Sequence, residues 1–110
     1  MNPLEKSDVI FQATDVLGRQ ISTTKQYWDK IMHIKHRELN TNIQEVIDVL
    51  ENPDEVRKSN QDAHISLFYK MIDQRQMVIV VKYIGNRGFI ITMYRTSKQK
   101  QKGDLLWQKQ

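Results

Sequence analysis

The chain has 110 residues, enough for one modest hydrophobic core and too few for two, and its 39% hydrophobic and 27% charged residues exclude a disordered composition. No apolar run reaches membrane-spanning length, no leader-like basic and apolar start is evident, and the absence of cysteine excludes disulfides, thiolate metal sites and cysteine nucleophiles together. The net charge of +4 is polarised: residues 41–56 hold five acids and no base, while residues 65–96 hold five bases against Asp73 and residues 97–110 four lysines against Asp104. A cytoplasmic protein with a basic surface that attracts phosphate is the simplest expectation.

In chain order, residues 9–11 and 20–23 read as two short strands around Asp15-Val16-Leu17-Gly18, a turn whose glycine supplies positive φ. Residues 24–36 place Tyr27, Trp28, Ile31 and Ile34 at helical spacing, which predicts a helix with one apolar face. Asn40 or Thr41 is expected to cap a second helix, since Thr41 followed by Gln44 fits a capping box. There Ile43, Val46, Ile47 and Leu50 recur at the 3.6-residue period, Glu45 favours the positive end of the helix dipole, and Pro53 closes the element. Residues 55–59 read as a further strand. Then ISLFYKMI, MVIVVKYI and FIITMYRT, within residues 65–96, read as three antiparallel strands. The expected fold is α+β: a short N-terminal hairpin, two helices, then a four-stranded antiparallel sheet. Residues 1–96 make one domain, and residues 97–110 a basic mobile tail whose Leu105, Leu106 and Trp107 are able to dock back.

The register of the last three strands decides what the sheet presents. Three-residue loops at Asp73-Gln74-Arg75 and Asn86-Arg87-Gly88 keep Leu67, Tyr69, Met71, Met77, Ile79, Val81, Phe89, Ile91 and Met93 on one face. The other face then carries Ser66, Phe68, Lys70, Val80, Lys82, Thr92, Tyr94 and Thr96, with Ser66, Lys82 and Thr92 in one cross-strand row. Lysines, hydroxyls and an aromatic ring on one surface suit RNA: a lysine as a point charge on phosphate, a threonine donating to a nonbridging oxygen, a tyrosine stacking on a base. The competing account is the solvated face of an antiparallel sheet, where Thr and Tyr are favoured anyway.

His36, at the end of the first helix, is the candidate proton carrier. The helix C-terminus favours its charged form, whereas Lys35 and Arg37 disfavour it. The competing account is an ordinary surface histidine. His33, one turn earlier, gives a spacing able to hold a metal, but no third ligand is evident, so neither metal nor cofactor is expected. His64 lies in a turn. Glycine-rich phosphate loops, nucleophile elbows, magnesium-binding acid clusters and HExxH helices are all missing, which leaves a metal-independent route.

The order Ile34-Lys35-His36, then Glu51-Asn52-Pro53, Arg57, Val80-Val81-Lys82 and Gly88 to Tyr94 resembles the phage-associated barnase–EndoU–colicin–RelE-like nucleases. The resemblance spans roughly residues 24–107. It implies helices followed by a four-stranded antiparallel sheet and toxin-like, metal-independent RNA cleavage. His36 would carry the proton, Arg57 or Lys82 the positive charge, and Thr92 the hydroxyl. Ser66, Lys70, Tyr94 and Thr96 would extend the RNA-binding surface. The expected partner is RNA, with an inhibitor or antitoxin protein as a further candidate for the acidic stretch 41–56. The alternative is a non-catalytic domain of the same fold that binds nucleic acid or protein.

Overall fold

In the computed structural model the described residues are 9–97 and 103–110, with the backbone alone for 35–38. They form β1 (Val9–Thr14), β2 (Gln20–Thr24), α1 (Lys25–Leu39), α2 (Ile43–Glu51), β3 (Glu55–Lys58), β4 (Ile65–Ile72), β5 (Arg75–Ile84), β6 (Arg87–Thr96) and β7 (Leu105–Gln108). The described strands make one seven-stranded sheet in the order β1-β2-β6-β5-β4-β3-β7. The four-stranded antiparallel sheet expected from the sequence is therefore corrected. β3 to β6 form an antiparallel meander in the middle, but β2 adds to β6 in parallel and β7 adds to β3 antiparallel. A four-stranded sheet would leave a row of unpaired backbone N–H and C=O groups at each edge, and β2 and β7 satisfy them. The sheet is mixed, and the α+β class stands. Within the stretch expected as a tail, Leu105–Gln108 is β7, and Trp107 packs against the core.

Local chemistry explains the helix ends. The Thr24 hydroxyl accepts from the Tyr27 backbone N–H at 3.3 Å, so β2 passes into α1 through a capping residue without a loop. After Leu39 the chain turns at Asn40, whose φ is +41°. The cap of α2 is Asn42, where Asn40 or Thr41 was expected: its side chain accepts from the Glu45 backbone N–H at 2.9 Å. Thr41 instead donates to the Glu45 carboxylate at 2.6 Å. Arg95 on β6 fastens the junction between the helices, donating to the carbonyl of Leu39 and pairing with Glu45 at 2.6 Å. A cation at the C-terminal carbonyls of α1 also complements its dipole.

Both helices lie on one face of the sheet. There Val46, Val49 and Leu50 of α2 and Leu39 of α1 are fully buried, with Ile31 of α1 nearly so, against Phe68, Met77, Ile79, Val81, Ile90 and Met93. Each such aliphatic side chain contributes about 1.5–3 kcal/mol on burial. Phe11 meets Trp28 edge to face, with ring centroids 6.4 Å apart.

Two-residue turns, where three-residue loops were expected, set the register. Asp73 and Gln74 both have positive φ, so Ile72 faces Arg75; Gly85 supplies a φ of +63° at the next turn, so Ile84 faces Arg87. A bulge then intervenes in β6: Val81 faces Ile90 and Val80 faces Thr92, leaving Ile91 as the extra residue. The Ser66–Lys82–Thr92 row is thereby overturned, because Ser66 faces Val81, Lys82 faces Ile65 and Phe89, and Thr92 faces Val80. The slip moves every side chain of β4 to the opposite face from that expected. Alternation alone does not discriminate between the registers, because apolar residues occupy both faces.

The N-terminal hairpin is pinned by a buried carboxylate. Asp15 accepts from the Leu17 and Arg19 backbone N–H groups, from Arg19 Nε at 2.9 Å and from the Tyr83 hydroxyl at 2.7 Å. The Arg19 guanidinium lies 3.8 Å from the centre of the Tyr83 ring. That ring covers Gly88, where a Cβ would come within 2.6 Å of it. Burial, with the Asp15 carboxylate second, pushes the Tyr83 hydroxyl far above the ordinary tyrosine range.

Asp15→Ala strands Arg19 and the buried Tyr83 hydroxyl, so urea denaturation should show a loss of about 3–5 kcal/mol. Tyr83→Phe should lose about 1–3 kcal/mol at pH 7, where the hydroxyl is protonated in both states and its hydrogen bond is intact. The folded pKa is raised, so this contribution is present below pH 10 and declines above it as the unfolded tyrosine ionises. Between pH 10 and 12 the parent should lose about 1.4 kcal/mol per pH unit more than Tyr83→Phe. Parallel stability–pH curves would contradict that assignment.

Candidate functional site

On the face away from the helices, the hydrophobic cluster among the described residues consists of strand side chains alone: Tyr69, Val78 and Val80, flanked by Ile65, Leu67, Ile91 and Tyr94. Pairing sets them in rows. Glu55, Tyr69, Val78 and Tyr94 lie in register across β3, β4, β5 and β6, and the adjacent row is Arg57, Leu67, Val80 and Thr92. Lys82 comes next, between Ile65 and Phe89; on the other side Gln76 lies between Met71 and Thr96.

Of the residues singled out from the sequence, this face gathers Arg57, Lys82, Thr92, Tyr94 and Thr96. Ser66 and Lys70 are on the helix face instead. Ser66 is buried and its hydroxyl is 3.5 Å from Arg19, while Lys70 is bound to Asp48 of α2 at 2.7 Å. His36 falls in the last turn of α1, and its side chain lies outside the described residues. His33 and His64 are exposed, and the His64 backbone N–H donates to Asp62. Among the described residues, no group of three or more His, Asp or Glu side chains is placed to hold a metal ion.

The bulge shapes one margin of this face. β2 pairs with β6 only from Arg87 to Phe89, after which the chain enters α1, and the helix runs on beside the remainder of β6. Because Ile91 is extra, Ile91 and Thr92 both emerge on the open face, at its margin beside the helix. With Tyr27, Lys30, Ile31 and Ile34 they line a cleft of about 110 Å³. The Tyr27 ring tilts against Phe89 at 6.4 Å. α1 is thus a wall along the open face, with Thr92 at its foot.

Charges on this face are partly spent on neighbours. Arg57 Nε binds Glu55 at 2.6 Å and its Nη1 donates to the Gly103 carbonyl at 3.0 Å, so the chain entering β7 holds the guanidinium. Lys82 is 3.5 Å from Asp62, whose carboxyl is held below its ordinary value by the His64 backbone N–H, with Lys82 contributing. Burial raises the hydroxyls of Tyr69 and Tyr94 above the ordinary tyrosine value, and for Tyr69 the neighbouring Tyr94 and Glu55 add to it.

Glu55, Tyr69, Tyr27 and Lys30 were not among the site residues expected from the sequence. The three-residue-loop register puts Tyr69 on the core face, and helical spacing alone puts Tyr27 in an apolar stripe, so neither stands out in the sequence. The i, i+3, i+7 spacing of Tyr27, Lys30 and Ile34 is a signal that places a cation within that stripe. No family model matches the chain, and neither the curated proteins nor the solved structures include a significant match. No helix among the described residues is long and apolar enough to cross a membrane.

Arg57→Ala leaves the Glu55 carboxylate, only 8% exposed, without its cation. Urea denaturation should show a loss of about 3–5 kcal/mol, with partial recovery when Glu55→Gln is added. Equal stability of Arg57→Ala and the parent would show that the pair is not structurally important.

Proposed function

We propose that the chain is a metal-independent endoribonuclease-like domain, cytoplasmic, that takes a single RNA strand across the open face of its sheet. The observation carrying this proposal is that Lys82, Thr92 and Tyr94 share that face beside an apolar and aromatic floor. Lys82 and Thr92 sit diagonally across β5 and β6, about 7–8 Å apart at the backbone, so the lysine arm spans to a phosphate at Thr92. An unstacked strand needs such a pairing of cation, hydroxyl and ring.

In the proposed reaction the ribose 2′-oxygen attacks the adjacent phosphorus as its proton is removed. The Lys82 cation offsets charge on the phosphorane, and the 5′-oxygen leaves with a proton, giving a cyclic phosphate. His36 is the proposed proton carrier. Thr92 positions a nonbridging oxygen, while Tyr94 and Thr96 hold the strand. Arg57 is three strands from Thr92, about 14 Å at the backbone, so it suits a neighbouring phosphate better than the one attacked.

A non-catalytic RNA-binding domain is the second reading, favoured by the pairing of Arg57 with Glu55, which neutralises that cation before a phosphate arrives. A protein inhibitor docking on the acidic helix is less well supported, because Glu45 and Asp48 are already bound to Arg95 and Lys70.

The test is incubation of labelled RNA with the full chain in excess chelator. The parent should produce cyclic-phosphate ends, and His36→Ala, Lys82→Ala and Thr92→Ala should each slow cleavage by about 100-fold or more. Undiminished cleavage in all three would remove the assignment, and tight binding without cleavage by the parent would establish the second reading.

A further inference from the structure

The cleft between α1 and β6 combines three properties. Its walls are apolar: Ile34 on α1, 67% exposed, and Ile91 on β6 both line it. Its rim carries Lys30, which has no ion-pair partner among the described residues, whereas Lys25, Lys58, Lys70 and Lys82 each have a carboxylate within 4 Å. Its foot is Thr92, which also belongs to the open face.

At about 110 Å³ the cleft is well below the roughly 300–1,000 Å³ that encloses a drug-sized ligand. It has room for one flat ring system and not for a base pair. Apolar walls suit the faces of such a ring, and the rim ammonium, without an ion-pair partner among the described residues, suits an anion attached to it. A nucleobase with its own phosphodiester has both features, and a strand lying across the open face would present them at this margin.

We propose that this cleft is a base subsite: it takes one unstacked nucleobase of the bound RNA, with Ile34 and Ile91 on the ring faces and Lys30 on the adjoining phosphate. This assignment rests on the RNA-binding proposal above and adds to it a preference for single-stranded over paired RNA. Tyr27 acts as a positioning residue, bracing the cleft through its contact with Phe89.

The test uses the full chain and a fluorescein-labelled 2′-O-methyl RNA decamer, which binds without being cleaved by 2′-hydroxyl attack. Anisotropy titrations compare it with the same strand carrying abasic positions and with its duplex. The parent should bind the single strand about tenfold more tightly than either. Ile34→Ala and Lys30→Ala alter exposed residues and should fold normally. Ile34→Ala should weaken the base-bearing strand about fivefold and leave the abasic strand unchanged, whereas Lys30→Ala should weaken both and lower the salt dependence. Binding that Lys82→Ala weakens but that is indifferent to bases, Ile34 and Lys30 would overturn the subsite while leaving the RNA-binding proposal standing. No binding of any strand by the parent would overturn both.

Discussion

Everything presented on the open face depends on the register of β4, β5 and β6, and that register follows from two tight turns and one extra residue. Positive φ at Asp73, Gln74 and Gly85 closes each hairpin in two residues, matching the twist of the paired strands. Without compensation, the second turn would hold strict alternation along the whole of β6. Ile91 breaks it, so that Gly88 and Ile90 face the helices at one end while Met93 and Arg95 do so at the other. The same insertion brings Ile91 and Thr92 out together on the open face, at its margin beside α1. One additional residue thereby serves the core, the Arg95 fastening of the helices and the cleft.

The placement of α1 follows from β2, because no loop separates them. Three parallel pairs, from Gln20 with Arg87 to Ser22 with Phe89, fix where the helix starts beside β6. Behind those pairs is the buried Asp15, which joins the hairpin turn to Tyr83 on β5. A carboxylate removed from water is costly unless several donors satisfy it, and here two backbone N–H groups, a guanidinium and a phenol do so. The hairpin is consequently part of the sheet and determines the wall of the open face.

The segmental charge pattern has a different meaning in three dimensions than along the chain. The acids of residues 41–56 do not form a free acidic surface, since Glu45, Asp48 and Glu55 bind Arg95, Lys70 and Arg57. Two of those bases had looked available to a phosphate. Near the open face, Lys82 has Asp62 at 3.5 Å and Lys30 has no ion-pair partner among the described residues. On the proposed RNA-binding reading, electrostatic attraction would be focused at the α1 side of the sheet.

Several features were legible in the residues themselves. Val46 and Leu50 at helical spacing, Pro53 as a stop, and β-branched runs in residues 65–96 are local signals, and local geometry suffices to express them. The α+β class and the shared sheet face of Lys82, Thr92 and Tyr94 followed from these. The faces of β4, the union of the hairpin with the sheet, the return of β7 and the cleft at Lys30 did not. A strand apolar on both sides carries no preference that alternation can detect, and edge pairing is made by backbone groups common to every residue. Composition and periodicity thus determined which segments are helix or strand and which side chains were on offer. Only tertiary structure decided which of them meet, because a two-residue turn, a one-residue bulge and partners far apart in the chain set the sides on which they emerge.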